Sequence, residues 1–236
     1  MKYLLSTFTA LGLLCAIPAA SAAPVLSAGA CVPGTLATPC APALITSGPT
    51  PLLSVPATVV GAFTLSGSAV TGITTTGATF NSQTIEISST GAGGLLDVYF
   101  TVSNVPTQQL PLGFTSTFTS NQQNAVTHSV IESTWEDDAN GVFALVNLLG
   151  TATLNNAVLQ TAGPVTVVRT PGDTVSITEL YQIELLGCGT QPNGVCTANL
   201  TIDLAAAEVP EPASLALLGL GMLGVGLVSR KRRTTG

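Results

Sequence analysis

Residues 96–103 read Leu96-Asp97-Val98-Tyr99-Phe100-Thr101-Val102-Ser103. Apolar and polar side chains take turns at every step. Successive side chains of an extended chain point to opposite faces. This order therefore puts Leu96, Val98, Phe100 and Val102 on one face and the others on the second. Such alternation marks a half-buried antiparallel strand, with core on one side only. The same period returns elsewhere. Leu112, Phe114 and Phe118 alternate with threonines. From Thr174 to Leu185 the odd positions read Val, Ile, Glu, Tyr, Ile, Leu, and the even ones are mostly polar. Ala198, Leu200, Ile202 and Leu204 alternate with Asn199, Thr201 and Asp203.

Turn signals separate these runs: Gly91 to Gly94, Asn140-Gly141, Gly163-Pro164, Pro171-Gly172-Asp173 and Asn193-Gly194. No segment of the soluble part shows a convincing 3.6-residue period, and only Val142 to Leu159 leaves room for a short helix. Roughly ten short strands with frequent turns predict an all-β fold, an antiparallel β-sandwich of jelly-roll-like form over residues 58–208.

Outside that region the composition changes. Lys2, the apolar run Leu4 to Ile17 and the small residues Pro18 to Ala23 have the order of a secretory signal peptide. Ala20 and Ala22 fit its A-x-A cleavage pattern, which places the signal at residues 1–22. Cys15 follows Leu14 rather than a small residue, so it reads as part of the apolar run and not as a lipid attachment site. Residues 23–57 hold seven of the 15 prolines and no charged side chain. Proline opposes helices and central strands, so the expectation there is an extended arm or irregular edge structure.

Between Ala23 and Glu208 there are eleven carboxylates against one cation, Arg169, a net charge of −10. Such a field repels phosphate backbones and argues against nucleic-acid binding; it suits solubility, calcium or a basic partner. Export to an oxidising compartment favours disulfides among Cys31, Cys40, Cys188 and Cys196. Three pairings exist. The local one, Cys31 with Cys40 and Cys188 with Cys196, closes two short loops. The spacings C-x8-C and C-x7-C depart from those of zinc sites.

The end of the chain has its own order. Val209-Pro210-Glu211-Pro212 precedes an uncharged run from Ala213 to Val228, followed by Arg230-Lys231-Arg232-Arg233. As a helix the run covers about 24 Å, a little short of a hydrocarbon core of about 30 Å. Snorkelling basic side chains extend its reach, and the basic cluster sets that end in the cytoplasm. This predicts one C-terminal transmembrane helix, residues 213–228. Within it Gly219-Leu220-Gly221-Met222-Leu223-Gly224 matches G-x-G-x-x-G. No strand context or downstream acid accompanies it, so the glycines read as helix-packing residues.

Pro-Glu-Pro, a short glycine-rich apolar helix and an arginine-rich tail, in that order, resemble the PEP-CTERM sorting signal of Gram-negative bacteria. The resemblance covers residues 209–233. It implies a substrate of exosortase, a membrane protease that cuts near the motif, with Val209, Pro210, Glu211 and Pro212 as recognition residues and Arg230, Lys231, Arg232 and Arg233 as the cytoplasmic anchor. It further implies transit of the inner membrane, a transient anchor there, then a place on the cell surface or outside the cell. It says nothing about the fold of the remaining residues.

Signals for chemistry are sparse. His128, the one histidine, is in register with Val126 and Val130 on a strand, the setting of a structural side chain. There is no G-x-S-x-G nucleophile motif. Glu136, Asp138 and Asn140, with Gly141 after them, have the alternate-oxygen spacing of a calcium loop. An acidic turn built on Asn-Gly explains the same residues. Tyr99, on the polar face of its strand, and Trp135 are candidate sugar contacts or plain strand formers. Arg169 is expected to pair with a carboxylate. These features favour a non-enzymatic protein with no cofactor beyond that calcium candidate: first a structural component of the surface or of an exopolysaccharide matrix, then a carbohydrate-binding or adhesin module, then a secreted hydrolase.

Overall fold

The computed structural model describes residues 22–74, 77–90, 93–107, 110, 113–123, 127–154, 158–166, 169, 173–186 and 195–206. They form twelve strands: β1 (Val25–Cys31), β2 (Ala43–Pro49), β3 (Leu52–Val60), β4 (Phe63–Thr74), β5 (Gly77–Thr90), β6 (Gly93–Pro106), β7 (Gly113–Gln123), β8 (Thr127–Asp137), β9 (Asn147–Leu154), β10 (Val158–Thr166), β11 (Thr174–Leu186) and β12 (Val195–Ala206). Two six-stranded antiparallel sheets result. The first runs β2-β1-β6-β11-β8-β9 and the second β10-β7-β12-β5-β4-β3. The last eight strands alone give β6-β11-β8-β9 against β5-β12-β7-β10, the wound order of a jelly roll. The stretch from Val142 to Leu159, open to a helix by sequence, is a loop followed by β9 and the start of β10.

The alternation in sequence becomes the core. Leu96, Val98, Phe100 and Val102 of β6 are buried between the sheets. Ile177, Tyr181, Ile183 and Leu185 of β11 join them from the first sheet, and Phe80, Phe114, Phe118, Leu200, Ile202 and Leu204 from the second. Each such large apolar side chain contributes about 1.5–3 kcal/mol when fully buried.

The proline-rich stretch 23–57, expected as an extended arm or irregular edge structure, supplies β1, β2 and most of β3, and β1 lies inside the first sheet between β2 and β6. The prolines tolerate this because none blocks a ladder bond. Pro24 precedes β1. Pro33, Pro39 and Pro42 lie in the β1–β2 loop. Pro49 and Pro51 flank the next turn, and Pro56 sits where the β3–β4 register shifts between Val55 and Thr58. The edge character does follow the prolines: β2 and β3 are the outer strands of their sheets.

A disulfide between Cys31 and Cys40 closes the β1–β2 loop. That loop lies at the end of the sandwich where Cys31 pairs with Asp97. The opposite end carries both chain exits. Val25 pairs with Ser103 near the close of β6, and Ala206 pairs with Phe114 at the start of β7.

The outer face of the first sheet is roofed. Loop 138–146 crosses it and sets Phe143 edge-on to Tyr99, ring centroids 5.8 Å apart. Gly29 makes room: a Cβ there would stand 2.8 Å from the Phe143 ring and 2.9 Å from the Ala43 carbonyl. Gly29→Ala is expected to destabilise the fold by about 1–3 kcal/mol, an overpacking cost with no backbone strain behind it. A urea midpoint unchanged from that of the native chain would contradict this packing. Replacing Gly34 by alanine, where a Cβ meets nothing within 4 Å, is the control.

Candidate functional site

Two kinds of site are relevant: groups inside the sandwich and the tail that follows it. Inside, the core-facing side of β8 reads Val130, Glu132, Thr134, Glu136. Their cross-strand neighbours on β11 are Ile183, Tyr181, Glu179 and Ile177. Directly opposed residues share a face, so three glutamates point into the space between the sheets. All three are fully buried.

Each glutamate meets this cost differently. Glu136 is paired with Arg169, whose Nε donates to Oε1 at 2.8 Å and whose Nη2 donates to Oε2. The guanidinium also lies over the Phe114 ring, 4.9 Å from its centroid, and its side chain is only 5% exposed. Glu179 accepts the Ser82 amide at Oε2, 3.0 Å. Beside it the Tyr181 phenol bonds the Ser82 hydroxyl and accepts the Ile202 amide at 2.8 Å. Both amides lie beside the β12–β5 register shift between Leu200 and Ile202, a point at which a ladder is locally disrupted. Burial drives the Glu179 carboxyl well above its ordinary range; the Ser82 contacts oppose this, and the Asp203 and Glu132 charges add to it. Glu132 has no partner of hydrogen-bonding geometry at either oxygen. Burial pushes its carboxyl up to about 9, and the nearby Thr119 amide lowers it less.

On the outer face, Tyr99 is not a sugar platform. It is 1% exposed. Its hydroxyl donates to the Cys40 carbonyl at 2.7 Å, and Phe143 covers its ring. The sequence placed it on the polar face correctly, but that face lies beneath two loops. Asp97, one pair further along, accepts the Cys40 amide at 3.0 Å; burial raises its carboxyl to about 6 against the pull of Cys40 and Gln182. Trp135 is half-buried, and its indole N–H donates to Ser133 Oγ at 2.9 Å.

The calcium candidates do not converge. Glu136 turns inward to Arg169, Asp138 is exposed, and Asn140 exchanges two 2.7 Å bonds with Asn104. Asp137 shapes the turn instead, accepting the Ala139 amide at 3.1 Å and the Gly141 amide at 2.7 Å. This is the acidic-turn reading of these residues. An apolar crevice lined by Val102, Val105, Leu110, Phe114 and Ile177 holds only about 10 Å³, room for about one water and too little for a sugar.

Residues 1–21, Cys188, the side chains of Cys196 and His128, the motif 209–212, the span 213–228 and the basic cluster 230–233 lie outside the described residues. Among the described residues no helix is long and apolar enough to cross a membrane. The last described strand, β12, ends at Ala206. Three positions later comes Val209-Pro210-Glu211-Pro212. Residues 208–233 match the family model described as the PEP-CTERM protein-sorting motif. The chain carries a PEP-CTERM sorting motif. The PEP-CTERM motif implies an exported protein directed to exosortase, crossing the inner membrane toward the cell surface or the extracellular space. Comparison of the whole chain with curated proteins finds no match.

Two measurements probe the buried groups. Arg169→Ala strands Glu136 without its cation and is expected to destabilise the chain by about 3–5 kcal/mol in a denaturant titration; a loss under 1 kcal/mol would show that the pair is not buried. The second concerns pH, in buffer containing a chelator. Below the unfolded carboxyl range near 4.5, Glu132 is protonated folded and unfolded alike. As pH rises toward about 9 only the unfolded chain releases the proton, so stability falls with pH. Glu132→Gln should flatten that fall between pH 5 and pH 9. An equally steep decline in the variant would place the pH dependence elsewhere.

Proposed function

We propose that the chain is an exported, exosortase-processed structural component of the bacterial surface or of an exopolysaccharide matrix, and that its sandwich acts without catalysis. The observation behind this reading is the adjacency of a closed sandwich and a sorting tail. Only Ala207 and Glu208 separate the last residue of β12 from Val209. Exosortase is the proposed partner, acting near Pro210 while residues 213–228 hold the chain in the inner membrane. The glutamates that look most like catalytic acids, Glu132 and Glu179, are fully buried, where no polymer reaches them. A general acid must come within hydrogen-bond reach of its substrate.

A carbohydrate-binding or adhesin role is the second reading, and half-buried Trp135 is the aromatic that favours it, since Tyr99 is covered. A secreted hydrolase stands third. Replacing Pro210, Glu211 and Pro212 by alanine should leave a larger, membrane-retained form on a gel of cell fractions; an unchanged processed size refutes the sorting role. A deletion strain scored for attachment and matrix texture tests the structural role. Micromolar binding on a glycan array, lost in Trp135→Ala, would move the second reading ahead of the first.

A further inference from the structure

The seam between the sheets gathers more oxygen than it partners. Glu132 Oε1 and Oε2, Glu179 Oε1, Thr134 Oγ1 and Ser116 Oγ are all buried without a hydrogen-bond partner. Three of these side chains are neighbours on the first sheet. Glu132 and Thr134 are two apart on β8, Thr134 faces Glu179 across the ladder, and Glu132 lies diagonal to Glu179. Ser116 arrives from the second sheet, and two contacts bracket its position. Phe114 stacks on Arg169, which holds Glu136, and the Thr119 amide approaches Glu132. Ser116 falls between those two points along β7, as Thr134 falls between Glu132 and Glu136 along β8.

We propose that this seam is a binding site for one hard divalent cation of the calcium class, held by Glu132, Glu179, Thr134 and Ser116. The donor set is all oxygen, without the nitrogen or sulfur that zinc takes. Its two carboxylates match a double positive charge. Arg169, the one cation between Ala23 and Glu208, is committed to Glu136 and leaves that charge unmet. Both oxygens of Glu132 are free to bind together, as a bidentate glutamate does in calcium sites. Magnesium demands a near-ideal octahedron and dehydrates reluctantly, which side chains fixed on facing strands do not suit; calcium accepts an irregular shell, here the side-chain oxygens completed by water. The two protons that neutralise the same carboxylates without metal would compete with the cation. This site is distinct from the turn at Asp138 and Asn140, whose oxygens face away from it.

The test uses the full chain in detergent, dialysed against chelator and returned to calcium chloride, magnesium chloride or neither. Elemental analysis should find one calcium per chain. At a calcium level about a hundredfold above Kd, the melting temperature should rise by about 5–10 °C, with little response to magnesium. Glu132→Gln should abolish the shift while the chain stays folded, because its carboxylate makes no bond the fold needs. Glu179→Gln should do the same. If it fails to fold for want of its bond to the Ser82 amide, Glu132→Gln decides alone. Asp138→Asn should keep the full shift. The proposal is overturned by a native chain that shows no calcium-dependent shift, by a shift that survives Glu132→Gln, or by one that disappears in Asp138→Asn.

Discussion

The two sheets are tied together where one of them is interrupted. Beside the register shift between β12 and β5, the amides of Ser82 and Ile202 donate to Glu179 and Tyr181 of the facing sheet. A buried amide left unpaired costs about 1–3 kcal/mol, so the irregularity and the polar core residues explain each other. Apolar packing across a sandwich tolerates sliding. Bonds of 3.0 and 2.8 Å from named amides set how one sheet lies over the other. The aromatic pair Phe100 and Tyr181, with rings nearly perpendicular at 81°, fills the layer beside them.

Charge is distributed unusually around this arrangement. A domain with a net charge of −10 would be expected to hold its acids in water, where repulsion is screened. Three glutamates are inside, and the one positive side chain goes to the most distant of them along β8. The outer face of the first sheet is polar by sequence but dry. Thr101 and Thr178 bond one another at 2.8 Å, Phe143 donates its amide to Thr101, and Gln182 reaches the Leu36 carbonyl. Loops take the place that solvent holds in a simple two-layer sandwich.

Much of the fold was legible because period-two alternation is a direct record of which side chains meet the core. The apolar positions of 96–102 and 198–204 lie in the core as read. The seam was legible too, in one respect: Glu179 and Tyr181 occupy the apolar phase of β11, and a carboxylate there signals a buried partner network. Its partners were not legible, since Ser82 and Ile202 join it only through a bulge that alternation does not encode. Tyr99 misled for a related reason, because periodicity tells a strand's two faces apart without saying what covers the second. The proline-rich stretch misled because composition counts prolines, whereas a ladder responds only to where each one falls. The sorting motif at 208–233 was readable, as a linear signal that depends on order and not on folding.

Both chain exits lie at one end of the sandwich, and the crosslinked β1–β2 loop lies toward the other. With residues 213–228 seated in a bilayer, the seven-residue step from Ala206 to Ala213 spans at most about 25 Å fully extended. That is a short leash, less than the length of the domain it holds. A domain so tethered would stay close to the bilayer. On such a tether the end of the sandwich at Gly93 and Leu186, where β6 and β11 run past the Cys31–Asp97 pair, would stand farthest from the membrane, with the Cys31–Cys40 hoop folded back over the face of the first sheet.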